Sequence, residues 1–123
     1  MGYHSRMGRE SDLSCDELRV LAGMLRIMMM ADSRVTSEEL HAVARIGTRL
    51  GLTEEAWDAI WEEAAETLPS ADAVLEAAST LSRVGAREAV YEQLYRLADA
   101  DHISEEEWDL LEWIDEVWLA ADK

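Results

Sequence analysis

The sequence of 123 residues contains no phenylalanine, one proline, six glycines and one cysteine, and each scarcity excludes a class of structure. A single cysteine, Cys15, excludes an internal disulfide framework and a zinc site of four cysteines. Few prolines and glycines leave long segments without a helix breaker, and these segments are rich in alanine, leucine and glutamate, which favour helices. The composition therefore predicts an all-α fold.

Positive charge is also scarce, because 11 basic side chains stand against 27 acidic ones and give a formal net charge of −16. Such a charge repels the phosphates of nucleic acids and anionic lipid headgroups. We therefore expect no direct nucleic-acid binding. The charge favours a protein partner with a basic surface, or a cation, and the composition leaves a homodimer open.

Long hydrophobic runs are absent as well. The longest, VLAGMLRIMMMA at residues 20–31, is interrupted by Arg26 and is shorter than the ~20 residues that a membrane span needs. The first ten residues lack the apolar segment of a signal peptide. We expect no membrane insertion, a cytoplasmic location, a flexible tail at residues 1–12 and a single domain at 13–123.

Helix starts are marked by a recurring capping box, in which a Ser or Thr is followed three residues later by Glu. This pattern, together with Gly51, Pro69 and Gly85 as breakers, predicts six helices, with a seventh not excluded. The predicted segments run from Ser14 to about Ala31, from Thr36 to Gly51, from Thr53 to before Pro69, from about Ala71 to Ser82, from about Ala86 to Ala98, and from Ser104 to about Ala121.

The chain also repeats itself, with repeat one at about 14–67 and repeat two at about 84–121. Each copy has a long helix, a tight acidic turn and a capped helix, which predicts a bundle of two pseudo-symmetric repeats that shield each other's apolar faces. The pairs that align are Leu21 with Val90, Leu25 with Leu94, Met28 with Leu97, Asp32 with Asp101, Glu39 with Glu107, Leu40 with Trp108, and Ile46 with Ile114.

The segments ADSRVTSEEL at 31–40, ARIGTRLGLTEE at 44–55 and ADHISEEEWDLLEWI at 100–114 resemble the TerB family of tellurite-resistance and TerB-like domains. The resemblance implies a TerB-like helical bundle and a cytoplasmic bacterial protein. It further implies a role in tellurite resistance or in broader chemical-stress and phage defence, without a known catalytic reaction. Acidic loops that bind a metal ion are also implied.

The acidic turns themselves have two interpretations. Glu39 and Glu107 complete capping boxes, but Asp32, Asp99 and Asp101 lie where helices end, and there the helix dipole disfavours anions by ~0.3 to 1 kcal/mol each. A divalent cation held by these five carboxylates would offset that cost, as would a nearby arginine or the next helix N-terminus. The spacing does not fit an EF-hand, so any such site is irregular.

Catalysis finds no support, because the sequence has no phosphate-binding glycine loop, no nucleophile elbow and no evident Cys-His pair. We therefore expect a non-enzymatic stress-response module that acts through protein interaction. The alternatives are a calcium-like cation sensor and an acidic mimic that occupies a DNA-binding partner. The apolar stripes further predict that Met28, Met29 and Met30 are buried. On the last helix they predict that most of the apolar set is core, namely Trp108, Leu111, Ile114, Trp118, Trp113 and Val117.

Overall fold

The structure is a computed structural model that describes residues 13–30, 36–99 and 104–121. These ranges contain six helices and no strand, which confirms the all-α prediction. None of these helices is long and apolar enough to cross a membrane. The helices are α1 (Cys15–Met30), α2 (Ser37–Arg49), α3 (Glu54–Thr67), α4 (Ala71–Ser79), α5 (Val84–Asp99) and α6 (Glu105–Ala121).

Helix α1 lies at the centre of the bundle and packs against α3, α4 and α5. Because neighbours surround it, its apolar residues are buried on more than one face, including Leu21, Met24, Leu25 and Met28. The prediction that all three consecutive methionines are buried is wrong for Met30, which is 64% exposed. Met30 is the last residue of α1, and at a helix end the surrounding neighbours no longer cover every direction.

The predicted capping boxes set the starts of three helices. At α1 the amide of Ser14 donates to Glu17 Oε1 at 2.8 Å, and the amide of Glu17 donates back to Ser14 Oγ at 3.2 Å. Thr36 forms the same reciprocal pair at α2. Side-chain caps therefore determine where these helices begin.

The turn between α2 and α3 depends on Gly51, whose φ of 82° lies in the left-handed region where residues with a Cβ are strained.

Two predicted boundaries are wrong. Helix α4 ends at Ser79 instead of Ser82, because the hydroxyls of Ser79 and Thr80 donate to the last carbonyls of the helix, which takes acceptors away from its continuation. Helix α5 begins at Val84, so Gly85 lies in its first turn and does not separate the two helices. The connection between α4 and α5 is thus residues 80–83.

Burial follows the predicted repeat. Leu21 and Leu25 in the first copy and Val90 and Leu94 in the second are all fully buried. On α6, Leu111, Ile114 and Trp118 are buried as predicted, whereas Trp108 and Trp113 are exposed. Leu40, the counterpart of Trp108, is exposed as well. One turn after each acidic segment, both copies therefore present an apolar side chain to solvent. The boundaries predicted for the tail and for the repeats stay predictions.

Two buried tryptophans tie helices together through their indole N–H groups. Trp57 Nε1 of α3 donates to the carbonyl of Val43 in α2 at 3.0 Å, and Trp118 Nε1 of α6 donates to the carbonyl of Ala78 in α4 at 2.8 Å. Gly47 allows the first contact, because a Cβ at that position would lie 2.5 to 2.9 Å from three atoms of the Trp57 ring. Ring and backbone therefore meet at a distance that only glycine permits.

We expect Gly47→Ala to lower the free energy of unfolding by about 1–3 kcal/mol, because overpacking against Trp57 outweighs the better helix propensity of alanine. Gly85→Ala is the matched control. Its added Cβ would meet only the end of Arg83 at 3.7 Å, so stability should stay unchanged or rise by up to about 1 kcal/mol. Urea denaturation followed by circular dichroism measures both, and equal effects would contradict the close-approach argument.

Candidate functional site

Two glutamates at equivalent positions of the repeat are buried where α2 and α6 begin. Glu39 is 4% exposed and Glu107 is 1% exposed. Their Oε1 atoms accept hydrogen bonds from the amides of Thr36 at 3.1 Å and Ser104 at 2.9 Å. In return, the amide of Glu39 donates to Thr36 Oγ1 and the amide of Glu107 donates to Ser104 Oγ, both at 3.1 Å. Both predicted capping boxes are thus present in full.

Helical register explains why these caps are buried. Glu39 shares a helix face with Ala42 and Ile46, and Glu107 shares one with Leu111 and Ile114, and these apolar residues belong to the core. A carboxylate on a core-facing stripe loses its hydration, which costs several kcal/mol unless partners replace the water. The capping hydrogen bond replaces part of it.

Glu107 leaves one polar atom unaccounted for. Its Oε2 atom is buried and has no hydrogen-bond partner in the described part of the chain. A buried carboxylate oxygen without a partner is costly, and a bound cation is one arrangement that would satisfy it. The donor chemistry at this position therefore fits a hard, oxygen-seeking ion.

The other predicted ligands do not complete a site here. Asp99 is exposed as the last residue of α5, while Asp32 and Asp101 lie outside the described residues. Among residues 13–30, 36–99 and 104–121, no three acidic, histidine or cysteine side chains are grouped closely enough to hold a metal ion. The five-carboxylate cation site stays a prediction.

Most described arginines contact acceptors of the protein itself, some at the surface and some in its interior. Of the seven in the described ranges, six contact an acceptor of the protein itself. Arg26, in the middle of α1, donates to the carbonyl of Leu68 at 2.7 Å, and Arg49 of α2 donates to Gln93 of α5 at 3.0 Å. The remaining four are Arg19 with Asp16 and Glu63, Arg83 with Glu17, Arg87 with the carbonyl of Leu81, and Arg96 with Glu92.

The Arg83–Glu17 pair shows how such a contact acts on a carboxylate. Arg83 Nη2 lies 2.8 Å from Glu17 Oε1, and this hydrogen bond holds the pKa of Glu17 below its ordinary value of 4.5, against the opposing effect of burial. Glu17 also caps α1 through the amide of Ser14. One carboxylate thus joins the start of α1 to the connection before α5.

Exposed carboxylates are concentrated on two helices. α3 and α6 each present six of them, and we call these two sets the acidic faces. The α3 acidic face consists of Glu54, Glu55, Asp58, Glu62, Glu63 and Glu66, and the α6 acidic face of Glu105, Glu106, Asp109, Glu112, Asp115 and Glu116.

Tyr91 and Tyr95 were not among the predicted site residues. They lie on α5, and the ring of Tyr95 contacts that of Trp108 in α6 at a centroid distance of 6.3 Å. Two tyrosines four residues apart on a helix are a visible sequence signal, because this spacing places both on one face. The α5 helix thus contributes exposed aromatic surface beside the α6 acidic face.

Comparison with known proteins gives one match. A family model described as "Tellurite resistance protein TerB" matches residues 18–117. No curated protein and no solved structure matches the chain. The matched range includes all of α2 to α5, nearly all of α1 and most of α6, and both buried glutamates lie within it.

Glu107→Ala should lower the free energy of unfolding by about 1–3 kcal/mol in buffer with EDTA, because it removes a cap and leaves the Ser104 amide without its acceptor. Glu106→Ala removes the same charge from the same helical turn, but its side chain is exposed, so less than about 1 kcal/mol should be lost. Chemical denaturation of both variants measures the difference. Equal losses would show that charge at the helix start matters and the cap does not.

Proposed function

Because this chain belongs to the TerB family of tellurite resistance proteins, we propose that it acts in resistance to tellurite or related chemical stress by docking on a protein partner. In this proposal the chain works without catalysis, in the cytoplasm. Its acidic surface binds a basic surface of the partner. The observation that carries the proposal is the excess of exposed carboxylates on two helices, α3 and α6.

These exposed carboxylates provide an electrostatic basis for binding. Six arginines contact the protein's own acceptors, whereas the α3 and α6 acidic faces present twelve carboxylates to solvent. A concentrated surface charge of one sign accelerates the encounter with an oppositely charged partner and disfavours partners of like charge. Solubility alone is also served by net charge, so the proposal needs a test in cells.

We expect a host strain lacking this gene to be more sensitive to tellurite, and the wild-type gene to restore resistance. A variant neutralised on both acidic faces should fail to restore it, because the attraction to a basic partner is lost. The eight substitutions are Glu55→Gln, Asp58→Asn, Glu62→Gln, Glu66→Gln, Glu106→Gln, Asp109→Asn, Glu112→Gln and Glu116→Gln. Growth inhibition across a tellurite series is the measurement.

A matched control changes the same surface without changing charge. Ala59 and Ala65 are exposed on α3, so Ala59→Gln with Ala65→Gln should restore resistance like the wild type. Immunoblotting and circular dichroism of the purified variants check abundance and folding. An unchanged tellurite response in the deletion strain, or full restoration by the neutralised variant, would overturn the proposal.

A second candidate function is divalent-cation sensing, and the buried Oε2 atom of Glu107 favours it. We propose that a cation such as calcium would be held by Glu107 together with Glu39, Asp99, Asp32 and Asp101. Binding would draw the two acidic turns together and change how α2 and α6 pack. The ion would supply positive charge to carboxylates, two of which are buried.

Calcium at 100 times its dissociation constant should then stabilise the fold by about 2.7 kcal/mol, since it binds only the folded state. Glu107→Gln can still accept the Ser104 amide but loses the anionic oxygen, so its unfolding temperature should not respond to calcium. Glu106→Gln, in the same turn, should respond like the wild type. Thermal unfolding in EDTA and then in calcium or magnesium at fixed ionic strength measures this.

Two outcomes would contradict the cation site. One is a wild type that calcium does not stabilise, and the other is equal stabilisation of wild type and Glu107→Gln, which would indicate general screening of the negative charge. The pair Asp32→Ala with Asp101→Ala tests the residues outside the described ranges in the same way.

A further inference from the structure

A groove of about 490 Å³ runs between α5 and α6, and apolar side chains line it. Tyr91 is half-buried and Trp118 is buried, while Val84, Tyr95 and Leu119 are exposed at the sides. Exposed apolar residues that occur singly are ordinary, but a contiguous group in a groove is typical of an interaction site. The group is thus a candidate docking surface.

The lining of the groove follows one face of α5 and the last turns of α6. Val84, Glu88, Tyr91 and Tyr95 are spaced by four, three and four residues, so they share one face of α5. Trp108, Glu112, Asp115 and Leu119 have the same spacing on α6. Since Tyr95 near the end of α5 contacts Trp108 near the start of α6, the two faces run antiparallel side by side. On α5 the lining extends from Val84 to Tyr95, which is about 16 Å or three helical turns, and on α6 it extends from Asp115 to Leu119.

Carboxylates border the apolar floor on both sides. Glu88 and Glu92 lie on the α5 side and Asp115 on the α6 side. The negative charge of the α6 carboxylates reaches the floor, since the pKa of Tyr91 is raised first by burial and then by the charges of Asp115 and Glu112. The one cation among the lining residues is Arg87, which is buried and donates from Nε to the carbonyl of Leu81 at 2.7 Å.

We propose that this groove binds an amphipathic, lysine- or arginine-rich helix of a partner protein. The apolar residues of that helix, at i, i+3, i+4 and i+7, would cover Tyr91, Tyr95 and Leu119, and its basic residues would meet Glu88 and Asp115, since Glu92 already pairs with Arg96. This inference rests on the proposed function, because it gives the basic partner a place to bind.

The negative charge around the groove favours a basic helix over two other possible occupants. A second copy of the chain, with its own net charge of −16, would bring one acidic rim against another, and an anionic lipid surface would be repelled in the same way. A cationic helix satisfies the rim and the floor together. The proposal therefore commits to a basic helix.

The probe is a fluorescein-labelled synthetic peptide of about four helical turns that carries leucine on one face and lysine on the others. Fluorescence anisotropy at physiological ionic strength should show that it binds the full-length protein. A peptide of the same composition with the leucines out of helical register should bind at least about tenfold more weakly, and a version with glutamate for lysine should not bind.

Two pairs of variants locate the binding. Leu119→Ser should weaken binding about tenfold, whereas Leu40→Ser should leave it unchanged, although the two leucines are 57% and 55% exposed. Glu88→Lys with Asp115→Lys should weaken binding by more than tenfold. Asp72→Lys with Glu76→Lys makes the same change in net charge at exposed positions of α4, outside both acidic faces and the groove, and should have less than about a threefold effect.

A second readout needs no variant. Amide chemical-shift changes of the wild-type protein on adding the peptide should fall on α5 and α6. Equal weakening by the two charge-reversal pairs, equal binding of the in-register and out-of-register peptides, or shifts centred on α3 would each overturn the groove. These outcomes leave the proposed function standing, because tellurite resistance of the neutralised variant decides it separately. A protein that binds no cationic peptide also overturns the groove.

Discussion

The fold depends on the enclosure of α1. A helix that is apolar on several faces is stable in water only when other elements surround it, and here α3, α4 and α5 do so. Arg26 is the one charged side chain in its middle, and it reaches the carbonyl of Leu68 at the end of α3. The positions of the remaining helices follow from this requirement, since each must present an apolar face to α1 or to a helix that covers it.

How much of this could be predicted differs between local and tertiary features. The starts of α2 and α6 were predicted correctly, because a capping box lies within four residues and does not depend on the rest of the fold. The end of α4 was not predicted correctly. The hydroxyls of Ser79 and Thr80 compete for carbonyls near that end, and the spacing of apolar residues does not show this. Met30 and Trp108 follow the apolar spacing, yet they project beyond the helices that could cover them.

The candidate site also combines local features, which the sequence predicts, with tertiary features, which it does not. The sequence predicted the capping roles of Glu39 and Glu107, but their burial depends on how Ile46 and Ile114 pack into the core. The groove between α5 and α6 was not foreseen, since its two walls come from helices whose facing sides are decided only by tertiary packing. Spacing assigns a residue to a helix face, and only the assembled bundle decides what that face meets.

The internal use of the arginines has a consequence for how the surface can change over generations. Arg26, Arg49 and Arg87 hold helices and connections by hydrogen bonds, so replacing them would lower the free energy of unfolding. The exposed carboxylates of α3 and α6 other than Glu63, which contacts Arg19, are less constrained, because surface substitutions usually change stability by less than about 0.5 kcal/mol. The outside of this bundle can therefore change in sequence at little cost in stability, while the buried framework cannot.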